Sequence, residues 1–275
     1  MDRMDRRFVR FGSWLGAGFL ILAAAFAVAN TCEPSTLREA APSVSGATSA
    51  GASLPLPPLT APAPIVPLAV EGFASALVAV PRGATGPRPI VIVLHGDEPL
   101  ASYCADWAAL AGERPFVLCP SAQPRAGDQP RATELRTALT ALKRRFGPHV
   151  SPGPVVLAGS AHGAIEALEI ARQEPSFFQR LVLVDQGADQ LSSGVVTILR
   201  DAGGRRLLLV CRQEQCSSIA RARAAMAARI GLATRMVGPA DDWRTAIRTH
   251  RGFRWLVEDD SRFTDPSPPP TSSVR

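Results

Sequence analysis

The sequence predicts an α/β protein built on a doubly wound, mainly parallel sheet. Three observations predict it. Short continuous runs of Val, Leu and Ile recur through the middle of the chain, as in strands covered on both faces. Longer stretches with apolar residues at helical spacing separate them. The connections are short, so strand and helix alternate as in successive βαβ units. Ligands of such a sheet belong at the carboxyl ends of its strands.

In chain order, strands are expected over residues 76–80, 89–94, 116–119, 154–158, 180–185, 206–211 and 234–237. Helices are expected over 101–111, 131–146, 162–173, 194–202, 217–230 and 243–258, the fourth with the weakest regular spacing. These elements place an α/β domain at residues 69–260. Of the 275 residues 46% are hydrophobic, enough for one core of ordinary size.

The flanks read differently. The first residues, "MDRMDRRFVRFGSW", are basic and lead into an apolar run of about fifteen residues ending in Ala27-Val28-Ala29. A basic region, an apolar region and a small-x-small ending form a secretory signal. The run spans roughly 22 Å as a helix, short of a bilayer core of about 30 Å. An uncleaved anchor over residues 1–29 is the alternative, and Cys32 raises acylation as a third, although Asn30 and Thr31 stand where such a site favours small residues. Residues 30–68 are rich in Pro, Ala and Ser and lack the periodic apolar content that would offset ordering, which predicts a tether. Residues 261–275 read as a disordered tail.

The net charge of +6 comes from Arg scattered along the chain, with Lys143 the only lysine and 6% aromatics. Basic residues neither cluster nor interleave with aromatics, so no nucleic-acid surface is expected. Of the five cysteines, Cys104 and Cys119 flank a helix and the next strand, and Cys211 and Cys216 close a short loop. Two disulfides in an exported domain, with Cys32 left over, is one reading; four buried thiols is the other. "CRQEQC" has no second Cys/His pair at zinc-ligand spacing, so no metal is implied, and no cofactor is either.

The stretches "PIVIVLHG" (89–96), "VVLAGSAHGA" (155–164), "RLVLVDQGA" (180–188), "RRLLLVCRQEQC" (205–216) and "GFRWLVEDD" (252–260) occur in the order and spacing of the α/β-hydrolase family. The chain resembles that family over roughly residues 70–260, without a large cap domain. "YCADW", "FVLCP" and "WLVEDDSRF" further resemble exported hydrolase-like proteins of myxobacteria, a likeness that supports the Cys104–Cys119 pair.

The resemblance implies a nucleophile elbow at "GSAHG", a strained strand-to-helix turn between two glycines. Gly159 and Gly163 supply the glycines, but Ala161 occupies the nucleophile position, and a methyl group cannot attack a carbonyl. Ser160 is one residue early, with its side chain expected to point away from the site. The family's acid follows the strand at 206–211, where Gln215 stands with Glu214 adjacent; Asp185 occupies an alternative acid position. The base should follow the last strand, but Ala240, Asp241 and Asp242 lie there. His250, the only histidine beyond the elbow helix, falls in the final helix pattern. The oxyanion end is better preserved, with the backbone N–H groups of His162 and of Gly96 or Asp97 as donors and His95 bracing their loop. The sequence therefore predicts an exported hydrolase-fold protein lacking nucleophile and base, with a small-molecule or protein ligand and, where the N-terminal segment is retained, a membrane tether. An active serine-type hydrolase with a non-standard nucleophile is the alternative.

Overall fold

The computed structural model describes residues 55–96, 98–121 and 130–264, all in one unit of the chain. Residues 1–29, Cys32, Asp97 and the tail beyond residue 264 lie outside the described residues.

Eight strands form one sheet in the order β1-β2-β4-β3-β5-β6-β7-β8. They are Ile65–Leu68, Ala76–Ala79, Ile90–Leu94, Phe116–Cys119, Val156–Ser160, Arg180–Val184, Arg206–Val210 and Ala233–Val237, numbered β1 to β8 in chain order. β2 runs antiparallel to β1 and β4; every other pairing is parallel. The helices are Leu100–Leu110, Arg131–Phe146, His162–Gln173, Ser193–Asp201, Glu214–Ile230, Trp243–Thr249, Gly252–Val257 and Ser261–Thr264, numbered α1 to α8.

Strand periodicity sorts them into two layers. Ile90, Ile92 and Leu94 of β3 face a core shared with α2, α3, α4 and α5, while Val91 and Val93 face a second core shared with α1, α6, α7 and α8. All five β3 residues are buried, the reason its β-branched run shows no polar alternation. The second layer is aromatic: Trp107 and Trp243 lie 5.2 Å apart, between Tyr103 and Phe253.

Two covalent links pin the elements. Cys104 of α1 is bonded to Cys119 of β4, and Cys211 after β7 to Cys216 in the first turn of α5.

Five details differ from the sequence expectations. Residues 65–68 were expected in the tether, yet they form β1; Pro67 breaks their appearance as a strand but tolerates an edge. β5 ends two residues later than 158, making Ser160 its last residue. α5 starts at Glu214, which is therefore helical rather than a loop residue. The stretch 243–258 is not one helix: Arg251 adopts φ = 50° and divides α6 from α7. In addition, Ser261–Thr264 is helical and Phe263 is buried, so the packed chain runs slightly past 260.

Candidate functional site

One residue separates β5 from α3. That residue is Ala161, at φ = 48° and ψ = −123°. Positive φ brings the Cβ of an L-residue against its own backbone, and such strain costs on the order of 1–3 kcal/mol. The surroundings hold it there. The Ala161 N–H donates to the Val184 carbonyl of β6 (3.0 Å), and its carbonyl accepts from the Ala164 N–H (2.9 Å). The glycines on either side permit the sharp turn. A Cβ on Gly159 would stand 2.1 Å from the Gly163 carbonyl oxygen, and one on Gly163 would stand 2.3 Å from the Leu94 carbonyl oxygen. The strained turn expected of an elbow is thus present, with a methyl group at its apex.

The loop after β3 lies over this turn. A Cβ on Gly96 would meet the Ala161 Cβ at 3.0 Å and the His162 backbone nitrogen at 3.8 Å. His162 opens α3, so its N–H has no acceptor within the helix and sits at the positive end of the helix dipole. Gly96 and His162 therefore border the space beside the Ala161 methyl. His95 Nδ1 donates to the Gly96 carbonyl oxygen (2.9 Å), bracing the loop, and its buried Nε2 has no partner among the described residues. The His162 side chain is 77% exposed and lies beside Glu166 on the helix surface, Nε2 to Oε1 3.9 Å.

Ser160 turns to the other layer. It is buried at the end of β5, whose Val156 and Ala158 pack in the layer that holds Tyr103 of α1. Burial pushes the Tyr103 hydroxyl well above the ordinary tyrosine range, so it stays protonated and donates to the Leu94 carbonyl oxygen at 3.3 Å. Both hydroxyls are structural groups beneath the strand ends.

The remaining candidates are separated. Asp185, just past β6 at φ = 66°, accepts from the Arg212 backbone N–H through Oδ1 (2.9 Å) and from Arg212 Nε through Oδ2 (2.5 Å). Asp185 is thus engaged on both oxygens by one residue, Arg212, and not by a histidine. Glu214 is exposed and paired with Arg221. His250 is exposed at the carboxyl end of α6. Among the described residues, no hydrogen bond links Asp185, Glu214 or His250 to Ser160 or His162.

The connection after β8, where the sequence predicts a base, carries an ion-pair network. After β8 the chain passes through Gly238, Pro239, Ala240 and Asp241 to Asp242, which caps α6 by accepting from the Arg244 and Thr245 N–H groups. Burial works against the Asp242 charge, but these bonds and the Thr245 hydroxyl hold its carboxyl below the usual carboxylate range. Arg244 reaches back to Asp106 on α1 (2.5 Å) and to Glu98 after β3 (3.4 Å), and Trp243 Nε1 donates to Glu98 (3.3 Å). These contacts close the strand ends with ion pairs and an indole. Sequence reasoning missed this network and the Arg212 clamp. The only local signal was the position of Arg212 directly after β7, within "CRQEQC".

No family model matches the chain, and no curated protein matches it. Solved structures do, among them three at 12–16% identity. Est1E from Butyrivibrio proteoclasticus shares 12% identity over 71% of this chain and 98% of its own, with a TM-score of 0.48. An S-formylglutathione hydrolase from Staphylococcus aureus shares 12% over 74% and 99%, TM-score 0.48. One from Agrobacterium tumefaciens shares 16% over 70% and 94%, TM-score 0.48. The eight-stranded, mainly parallel sheet with helices on both faces is an α/β-hydrolase fold, read from its strand order and its strand-turn-helix elbow.

Proposed function

We propose that the chain is an exported α/β-hydrolase-fold protein that no longer turns over substrate and acts by binding a ligand or partner in the cell envelope. One observation carries the reading: Ala161 stands at the strained apex of the elbow, where the reacting hydroxyl or thiol of a hydrolase would be. Two others support it. The β8–α6 connection holds no histidine, and Asp185 is engaged by Arg212. Loss of one triad member alone lowers turnover by several orders of magnitude, and here nucleophile and base are both missing. Export rests on the signal-like residues 1–29 and the likeness to exported hydrolase-like proteins, with cleavage at Ala29, retention as an anchor or acylation at Cys32 as its possible routes. Bonded Cys104–Cys119 and Cys211–Cys216 pairs fit an oxidising compartment.

The test is intact-mass measurement of the full, disulfide-bonded chain after incubation with a reactive fluorophosphonate. The expected result is no adduct, both in the native chain and in a folded Ala161→Ser variant, because no base activates a hydroxyl at either position. A stoichiometric adduct on the native chain would overturn the reading in favour of a serine-type hydrolase of an ester, thioester or peptide bond.

A further inference from the structure

A cavity of about 700 Å³ lies at the amino ends of the strands, opposite the elbow. Its volume is that of a small-molecule site. Ile65 of β1, Val80 and Pro81 after β2, and Pro115 before β4 form apolar walls, completed by Ala105 and Ala108 of α1. Those two alanines lie three residues apart on one helix face, and their small side chains leave the space open. Among the described residues no aromatic side chain lines the cavity, so its walls suit an alkyl chain rather than a stacked ring.

Its charge is one-sided. Arg82 in the β2–β3 connection, Arg88 ahead of β3 and Arg114 ahead of β4 line the cavity, with Glu113 the one acid among its described lining residues. Arg88 is fixed by its backbone: its N–H donates to the His149 carbonyl (2.7 Å), and its own carbonyl accepts from the Ser151 N–H (2.8 Å). The guanidinium groups of Arg82 and Arg88 have no hydrogen-bond or ion-pair partner among the described residues, although most arginines of this domain are paired. Planar guanidinium forks match carboxylate oxygens in a way that a point charge does not. An apolar chamber with two uncommitted arginines is complementary to one chemistry, an apolar tail ending in an anion.

We infer that this cavity binds a single-chain aliphatic carboxylate, with the alkyl chain against Ile65, Val80 and the α1 alanines and the carboxylate on Arg82 and Arg88. The site is separate from the elbow, and the inference does not rest on the elbow being inactive.

A photoreactive, diazirine-bearing dodecanoate tests it. The full chain, in the form in which it is produced and with both disulfides intact, is labelled below the micellar concentration and the adducts are mapped by peptide sequencing. Adducts should fall within residues 64–65, 79–85 and 105–115. Dodecanoate should displace them and dodecyltrimethylammonium should not. Replacing the charged heads together, Arg82→Gln with Arg88→Gln, should cut labelling about tenfold, as loss of a charge-assisted hydrogen bond does. Ala108→Leu, a helix-compatible change that fills the chamber and spares the arginines, should do the same. Adducts spread over the surface, equal displacement by the cationic amphiphile, or unchanged labelling of Ala108→Leu would each overturn the assignment. An adduct with fluorophosphonate would leave it standing.

Discussion

At the carboxyl end of β5 the chain holds Ala161 at positive φ, and among the described residues no ion pair involves the residues of that turn, Ser160 and Ala161. At the amino end of the next strand, β6, it does the reverse. Arg180 is buried there with Asp259 (3.0 Å) and Asp260 (3.2 Å), while Arg180 Nε donates to the Leu256 carbonyl (3.0 Å). One end stores backbone strain without charge chemistry, and the other buries charge without strain. The difference teaches that elbow geometry does not depend on the catalytic groups. It is over-determined by the β5–β6 pairing, by the Ala161–Val184 hydrogen bond and by the glycine contacts between strand and helix. The turn is held by backbone contacts, whatever side chain stands at position 161.

The largest expected effect breaks that frame. Gly159→Ala places a Cβ 2.1 Å from the Gly163 carbonyl oxygen, a contact that only backbone displacement relieves. It should destabilise the domain by about 3 kcal/mol, the upper range of overpacking costs. Gly194→Ala, where the nearest atom is 3.8 Å away, should change stability by less than about 1 kcal/mol. Urea denaturation of both variants decides the matter. Equal midpoints would show that the turn is not held by this contact.

The second effect belongs to the charged end. Burial opposes the Asp260 charge, but the Arg262 hydrogen bond and charge, with Arg180 beyond, hold its carboxyl below the usual range. Asp259 is likewise held low: burial opposes, and Arg180 and Arg206 outweigh it. A depressed carboxyl contributes stability that is present above its unfolded pKa, about 3.9, and is lost as pH falls through the folded value. Asp260→Asn should therefore cost about 2 kcal/mol at pH 7, since it removes one partner of a buried arginine. The gap to the native protein should close as pH falls from about 5 to about 2. A gap independent of pH would assign the loss to packing instead of charge.

These two ends were unequally legible in the sequence. The elbow was readable because its determinants are local: a buried run, two glycines four residues apart and a helical pattern appear together in "VVLAGSAHGAIEAL". Seven of the strands carry enough continuous apolar character to be found. β1 does not, because an edge strand containing Pro67 and buried mainly on one side resembles a Pro-rich tether. The break at Arg251 was hidden because the positive φ falls on an arginine, which has no compositional signal, and not on Gly252 beside it. Long-range partners were out of reach. Arg212 meets Asp185 across two strands, and Arg244 meets Glu98 and Asp106 from the far end of the chain. Such pairs follow from topology, which spacing along one chain does not encode.

The smallest effect bears on the elbow alone and separates strain from packing. Ala161→Gly keeps the turn and removes the Cβ that makes φ = 48° costly. Two contributions oppose each other. Strain relief is worth on the order of 1–3 kcal/mol, whereas the extra freedom of glycine in the unfolded chain costs about 0.5–1 kcal/mol. Ala161 is only half-buried, so the lost methyl removes little packing. The variant should be more stable than the native protein by about 1 kcal/mol, read from the urea midpoint at unchanged slope. A functioning hydrolase cannot make this exchange, because the side chain at the apex is its nucleophile. A less stable glycine variant would mean that the methyl is held by contacts across the Gly96 loop, and the elbow of this chain would then be a packed joint in place of a strained one.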